Sequence, residues 1–190
     1  MKSNENTRSK ILAAALDEFS TRGFAGVRVD QIAKAAGVNK AMIYYHFAGK
    51  EDLFKAIFQT ELESFKQNLT KIMAGSEMSS LEDQLSAVEA ILSYAGQRKK
   101  FLAILLSAAM LQPEVQPNLF QLLDISTAAG LAAGAGVQPN EDALVHELFT
   151  GLLPLVSFIL LRKGLVGYYG WDEASLNQHF IQSWLHQHLG

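Results

Sequence analysis

The sequence predicts an all-α protein, with a small N-terminal three-helix domain built around a helix-turn-helix and a larger helical body. Three observations carry that expectation. Apolar residues recur at helical spacing through nearly the whole chain, no stretch of strand-like alternation interrupts them, and the run VRVDQIAKAAGVNKAMIYYHFAGK from Val27 to Lys50 fits two short helices and the start of a third around one glycine. With 190 residues, 49% of them hydrophobic, the chain can bury a proper core.

The opening segment repeats Ile11, Ala15 and Phe19 beside Leu12 and Leu16, a stripe of helical period that ends at Gly23. Before it, MKSNENTRSK lacks the apolar region of a secretory signal and reads as a short flexible arm ending at Thr7. The first short helix sets Ile32 and Ala36 one turn apart, with Ala33 small enough for another helix to approach closely. Gly37 ends it, because glycine takes the left-handed conformation without a side-chain penalty. Asn39 then caps the second helix, and Val38 and Ile43 stand at the spacing of a hydrophobic staple.

Ile43 and Phe47 are the inward positions of that second helix, so Lys40, Ala41, Met42, Tyr44, Tyr45 and His46 share its exposed and flanking faces. Two short helices held at a fixed angle are how a protein sets one helix into the major groove of DNA. Two tyrosines, a histidine and a lysine with almost no acid are costly surface choices unless something meets them. All of them donate hydrogen bonds that phosphate oxygens accept.

From Lys50, the residues Leu53, Phe54, Ile57, Phe58, Leu62, Phe65, Leu69 and Ile72 continue one helix to about Met73, long enough to join two domains. The stretch from Gly75 to Ser80 breaks the pattern, and Ser79, Leu81 and Glu82 start a helix that reaches about Gly96. Another covers Arg98 to Leu111. Pro113 and Pro117 break it, and a further helix spans about Asn118 to Ala133, with Gly130, Gly134 and Gly136 loosening its end. After Pro139 and Asn140 a long helix runs to about Lys163, and Asp172 caps a last one to Leu189. The longest nearly apolar run, Leu148 to Leu161, contains Gly151 and Pro154 and falls short of the roughly 18 to 20 residues a spanning helix needs. No membrane association is expected, and the chain is read as cytoplasmic.

Charge divides the chain. Residues 1–60 hold nine Lys and Arg against six Asp and Glu, whereas residues 61–190 hold seven against thirteen. The basic balance therefore falls on the end that carries the helix-turn-helix. There is no cysteine, so no disulfide, thiolate nucleophile or cysteine-based zinc site is available. No Gly-x-Ser-x-Gly elbow, phosphate-binding glycine loop or His-Glu-x-x-His helix is present, and neither catalytic residues nor a metal or cofactor are expected. His146 with Glu147, and His179, His186 and His188 in the tail, read as exposed polar residues at a mobile end; His186 and His188, two apart on a helix, face different ways. An enzyme, the rival class, thus fares poorly; a third class, an all-α adaptor for a protein partner, is compatible with composition but leaves Tyr44, Tyr45, His46 and Lys50 unexplained.

The stretch IAKAAGVNKAMIYYHFAGKEDLF, within roughly residues 6 to 60, resembles the DNA-binding domain of the TetR (tetracycline-repressor-like) family of bacterial transcription regulators. The matching positions are Ile32-Ala33, Ala36-Gly37-Val38, Tyr44-Tyr45-His46-Phe47, Lys50 and Leu53. Departures stand at Val27 and Arg28, where the family carries a hydroxyl that caps the first short helix, at Ala41 for glycine, at Met42 for threonine, and at Gly49 for a polar cap.

The resemblance implies a DNA-binding domain over residues 1–60 and an effector-binding and dimerisation domain over 61–190. It further implies a repressor released from a palindromic double-stranded operator by a small molecule. Arg28, Asn39, Lys40, Ala41, Met42, Tyr44, Tyr45, His46 and Lys50 are the candidate DNA contacts, with phosphates falling to Tyr44, Tyr45, His46 and Lys50. Phe65, Met73, Phe101, Met110 and Phe149 are the candidate walls of an effector pocket, which suggests a mostly apolar effector. A DNA-binding regulator that answers to no ligand is the other alternative. In the family the last two helices pair across a two-fold axis, and the apolar residues of that region, including Phe158 and Trp184, exceed what one monomer core needs. A charge at Phe158 or Trp184 is accordingly expected to yield monomers.

Overall fold

The computed structural model describes residues 2–74, 80–132 and 140–188, and every regular element among them is helical. Helix α1 (Lys2–Gly26) is followed by α2 (Val29–Ala36) and α3 (Lys40–His46), and the long α4 (Lys50–Ala74) leads from these into the body. The body adds α5 (Leu81–Gln97), α6 (Lys99–Leu111), a 3-10 turn (Pro113–Val115) and α7 (Gln116–Ala132). It ends with α8 (Glu141–His146), a π-helical turn (Glu147–Leu152), α9 (Leu153–Tyr169) and α10 (Glu173–His188).

The N-terminal stripe behaves as its spacing requires, with Ile11, Ala15 and Phe19 buried against Leu53, Phe54 and Phe58 of α4 in one continuous core. One expectation is corrected. The segment read as a short flexible arm ending at Thr7 is helical, since α1 already covers Lys2 to Thr7. Polar sequence does not prevent a helix that continues from a packed one, because propagation adds a hydrogen bond for each residue fixed.

Gly23 lies at φ 69° and kinks α1, which folds Phe24 back onto Phe19 and Phe54, with ring centroids 5.6 and 4.7 Å away. Gly37 ends α2 in the left-handed conformation at φ 67°, and Asn39 Oδ1 accepts from the Ala41 amide at 3.0 Å to start α3. Ser80 and Asp83 bond reciprocally to open α5, and Asp172 Oδ2 accepts from the Ser175 amide at 2.7 Å to open α10. Helix α10 thus begins where Asp172 predicts. Ser79 and the glycines Gly134 and Gly136 lie outside the described residues.

The α8–α9 region departs most from expectation. The helix does not stop near Lys163 but passes through Gly164 and Gly167, and it ends only at Gly170, whose φ of 68° closes it. Upstream, Pro154 has no N–H, so the carbonyl four residues back cannot be satisfied in α-helical register. The chain answers with a π turn, in which the Leu153 amide bonds to the Leu148 carbonyl, and Thr150 Oγ1 donates to the His146 carbonyl at 2.7 Å. The π turn keeps the rod continuous through Gly151 and Pro154. By length and composition alone the 29 residues Glu141–Tyr169 are apolar enough to cross a membrane, which corrects the apparent shortness of the run. Here α9 packs on α5, α6 and α10, and the π turn packs on α7 and α10.

Candidate nucleic-acid interface and ligand cavity

Helix α3 stands on α2 through Ile32, Ile43 and Phe47, all buried, so its orientation is fixed by core packing. That leaves Tyr44 and Tyr45 outward, 52% and 69% exposed, with Lys40 and Ala41 also exposed and Met42 half-buried. Arg28 is exposed at the start of α2. Its missing hydroxyl cap is replaced from the other side, because Gln31 Oε1 accepts from the Arg28 amide at 2.8 Å. The guanidinium is therefore not needed for helix initiation.

Two of the basic or polar candidates, Lys40 and Lys50, carry partners that their sequence positions did not announce. Lys40 forms an ion pair with Asp30 of α2, which holds the Asp30 carboxyl below and the Lys40 ammonium above their ordinary values, chiefly through their hydrogen bond. His46 has its Nε2 enclosed without a hydrogen-bond partner. The Lys50 ammonium donates to the Phe24 carbonyl at 3.0 Å and lies 4.3 Å from the centre of the Phe24 ring, an anchorage within the head that the motif did not announce. Arg8, which the motif did not include, sits 5.3 Å over the Phe47 ring and adds a cation beside the end of α3.

The body encloses a cavity of about 440 Å³ between α4, α5, α7, the π turn, α9 and α10. Phe65 and Met73 line it, together with Leu69, Val88, Leu102, Leu152 and Val156. Phe101 does not. It is fully buried behind the wall, 6.0 Å from Phe65 and 5.3 Å from Phe58. Met110 and Phe149 are also corrected: both face outward, 72% and 62% exposed, because their helix faces point away from the core.

A polar corner, not foreseen, breaks this apolar wall. Glu147 Oε2 lies 3.2 Å from His188 Nε2, each side chain only 13% exposed, and His188 Nδ1 lies 3.0 Å from Thr150 Oγ1. His146 Nε2 bonds the His188 carbonyl at 3.0 Å, with the two rings stacked 5.3 Å apart. His146 and His188 are thus tied into one cluster; His146 is exposed as expected, whereas His188 is mostly buried against Glu147, which corrects its reading as an exposed residue of the tail. Trp184 Nε1 donates to the Gly151 carbonyl at 3.0 Å and closes the corner. Gly151 leaves room for this cluster, since a Cβ would stand 2.8 Å from both Glu147 Oε1 and His188 Cε1 and those side chains would have to shift. Among the described residues no group of three or more His, Cys, Asp or Glu is placed to hold a metal ion.

Phe158 and Trp184 do not form an outward dimer face. Phe158 is buried and stacks flat on Phe180 of α10 at 3.8 Å, and Trp184 belongs to the cavity. Their apolarity is used within one chain. The apolar residues left outside on α9 are Leu161, Tyr168 and Tyr169, followed by Trp171.

Comparison with known proteins agrees with this geometry. The sequence profile of bacterial regulatory proteins of the tetR family matches residues 11–57. The chain is 32% identical over 182 residues to the HTH-type transcriptional regulator RutR of Escherichia coli K12, covering 90% of this chain and 84% of that one. A TetR family regulator from Marinobacter aquaeolei VT8 superposes with a TM-score of 0.69 at 20% identity, over 96% of each chain. The regulator FadR of Bacillus subtilis in complex with stearoyl-CoA gives 0.63 at 17% identity, over 93% of this chain and 96% of that one. All three of these relatives are transcription regulators. The helix-turn-helix on α2 and α3, and the extent of the likeness to RutR, place this chain in the TetR family of DNA-binding transcriptional regulators.

Proposed function

We propose that the protein is a repressor that binds a palindromic operator as a homodimer and leaves it when a small, mostly apolar molecule fills the cavity of the body. Residues 1–60 act as the reading head and residues 61–190 as the sensing and pairing body, with α4 crossing between them. The observation that carries this reading is the exposed face of α3, where Lys40, Ala41, Tyr44 and Tyr45 stand outward on a helix fixed from beneath by Ile43 and Phe47.

On that face Lys40, Ala41 and Met42, in the first turn of α3, meet base edges, while Tyr44, Tyr45 and His46 Nδ1 reach phosphates. Arg28 and Asn39 flank them from the helix starts. One such head binds weakly, and two set about one duplex turn apart read a palindrome. The outward residues Leu161 and Tyr168 of α9 offer the pairing surface. A regulator of this kind works in the cytoplasm, where the DNA is.

Selection of bound fragments from a random DNA pool tests the reading. Recovery of a palindrome with half-sites one turn apart is expected. Recovery of no sequence preference, or of an unpaired half-site by a monomeric protein, would overturn it.

A further inference from the structure

We infer that the cavity selects a ligand with an apolar body and a cationic or strongly hydrogen-bond-donating head, an amine in the first instance, and that Glu147 Oε1 receives that head. The inference rests on the cavity being the effector site and adds the chemical class of what enters it.

The argument is an inventory of the polar corner. Thr150 has one hydroxyl hydrogen, and it goes to the His146 carbonyl, so its oxygen accepts from His188 Nδ1–H. His188 Nε2 then faces Glu147 Oε2, and both imidazole nitrogens are engaged. The indole N–H of Trp184 is given to the Gly151 carbonyl, the Tyr94 hydroxyl is held by Ser64 Oγ at 2.7 Å, and Ser126 Oγ donates to the Leu123 carbonyl. Around Glu147 the donors of Thr150, His188 and Trp184 are thus used inside the protein. What the corner still offers is an acceptor: Glu147 Oε1, for which no hydrogen bond is recorded among the described residues.

Charge leads to the same class. No lysine or arginine lines the cavity among the described residues, and Glu147 is the one carboxylate on its wall. His188, the other group on the wall able to carry charge, has both ring nitrogens engaged with Glu147 and Thr150, so a carboxylate or phosphate ligand would find no unengaged donor there and would lie beside the Glu147 carboxylate, at a large cost in an apolar enclosure. An ammonium instead completes the second oxygen of a carboxylate whose first is held by His188. The π turn serves this arrangement: with glycine at 151 the Glu147 carboxylate folds over the helix at the cavity wall, where any larger residue would collide with it.

Three probes of one shape test the inference by calorimetry on the full chain: 4-phenylbutylamine, 4-phenylbutanol and 4-phenylbutanoate. The amine is expected to bind tightest and the carboxylate weakest. In Glu147→Gln the advantage of amine over alcohol should fall by about ten- to a hundredfold, the range of a charge-assisted hydrogen bond, while alcohol binding persists and reports an intact cavity. Preference for the carboxylate, or an amine advantage that survives Glu147→Gln, would overturn the inference and leave the cavity as effector site. Binding of none of the three by the wild type would overturn both. If Glu147→Gln binds neither amine nor alcohol, the wild-type ranking decides alone.

Discussion

Lys50 separates two accounts of the same residue. A motif-based reading puts its ammonium on a DNA phosphate, whereas the structure puts it on the Phe24 carbonyl and over the Phe24 ring. Replacing it by Met keeps the apolar stem and removes the charge and the donor. A hydrogen bond from a charged donor is worth about 1.5–3 kcal/mol, and a cation over a ring at a half-exposed site about 0.5–1 kcal/mol. The freed carbonyl recovers part of this from water because the site is only partly buried. The expected net loss for Lys50→Met is about 1–2 kcal/mol, read as a drop of roughly 2–8 °C in melting midpoint for a chain of this size. Operator binding at graded salt is the companion assay, and the slope of log K against log salt should match the wild type. A variant that keeps its melting midpoint but loses about 0.9 from that slope would place Lys50 on a phosphate and refute the latch.

Leu161→Arg should give a monomer with native helix content and weak operator affinity, by sedimentation and circular dichroism, whereas Phe158→Asp should lose helix content because it buries a charge against Phe180. A dimeric Leu161→Arg protein would move the pairing surface elsewhere. Burial holds the Glu61 carboxyl above its ordinary value, opposed by the charge and hydrogen bond of Arg98, whose Nε lies 3.3 Å from Glu61 Oε2. A carboxyl raised on folding contributes stability below its unfolded value, 4.5, and that contribution is lost as pH rises through the folded value. Arg98→Met raises Glu61 further, so its penalty relative to wild type should be larger at pH 7 than at pH 4 by about 1–3 kcal/mol in urea titrations; a penalty equal at both pH values would show that the charge plays no part.

The head was legible in the sequence because its signals are local. Gly37, Asn39, Ile43 and Phe47 act within a few residues of themselves, and each does in the structure what its position implies. The cavity was not legible for the opposite reason. Its polar corner joins Glu147 to His188, 41 positions apart, and a histidine near the end of a chain looks solvated until the fold brings an acid to it. Lys50 and Phe24 are a middle case, since only the kink at Gly23 turns that carbonyl toward the lysine. The π turn had a visible cause in Pro154, but hydrophobic periodicity alone does not distinguish a break from a bulge. Apolar counts misled at Phe158 and Phe101 because burial within one chain and burial at an interface or ligand leave the same mark.

Phe101, displaced from the cavity, has a position that suggests what links ligand to head. Phe24, Phe54, Phe58, Phe101, Phe65 and Tyr94 form an unbroken file of rings, successive centroids 4.7, 4.6, 5.3, 6.0 and 5.2 Å apart, from beneath Lys50 to the cavity wall. Rings packed edge to face move together, because each fills the space its neighbour leaves. Phe65 and Tyr94 are the members on the cavity wall, and the Tyr94 hydroxyl is bonded to Ser64 of α4 at 2.7 Å while Arg98 lies 3.9 Å from the Tyr94 ring. Tyr94→Phe keeps the ring and removes the grip. If the grip carries the signal, 4-phenylbutylamine should bind the variant within about threefold of wild type, yet its effect on operator affinity should shrink by about three- to tenfold, the worth of one hydrogen bond against ordinary coupling energies. An undiminished effect at unchanged amine affinity would assign the coupling to the packed rings without the hydroxyl, and Phe101→Leu would then be the variant in which it fails.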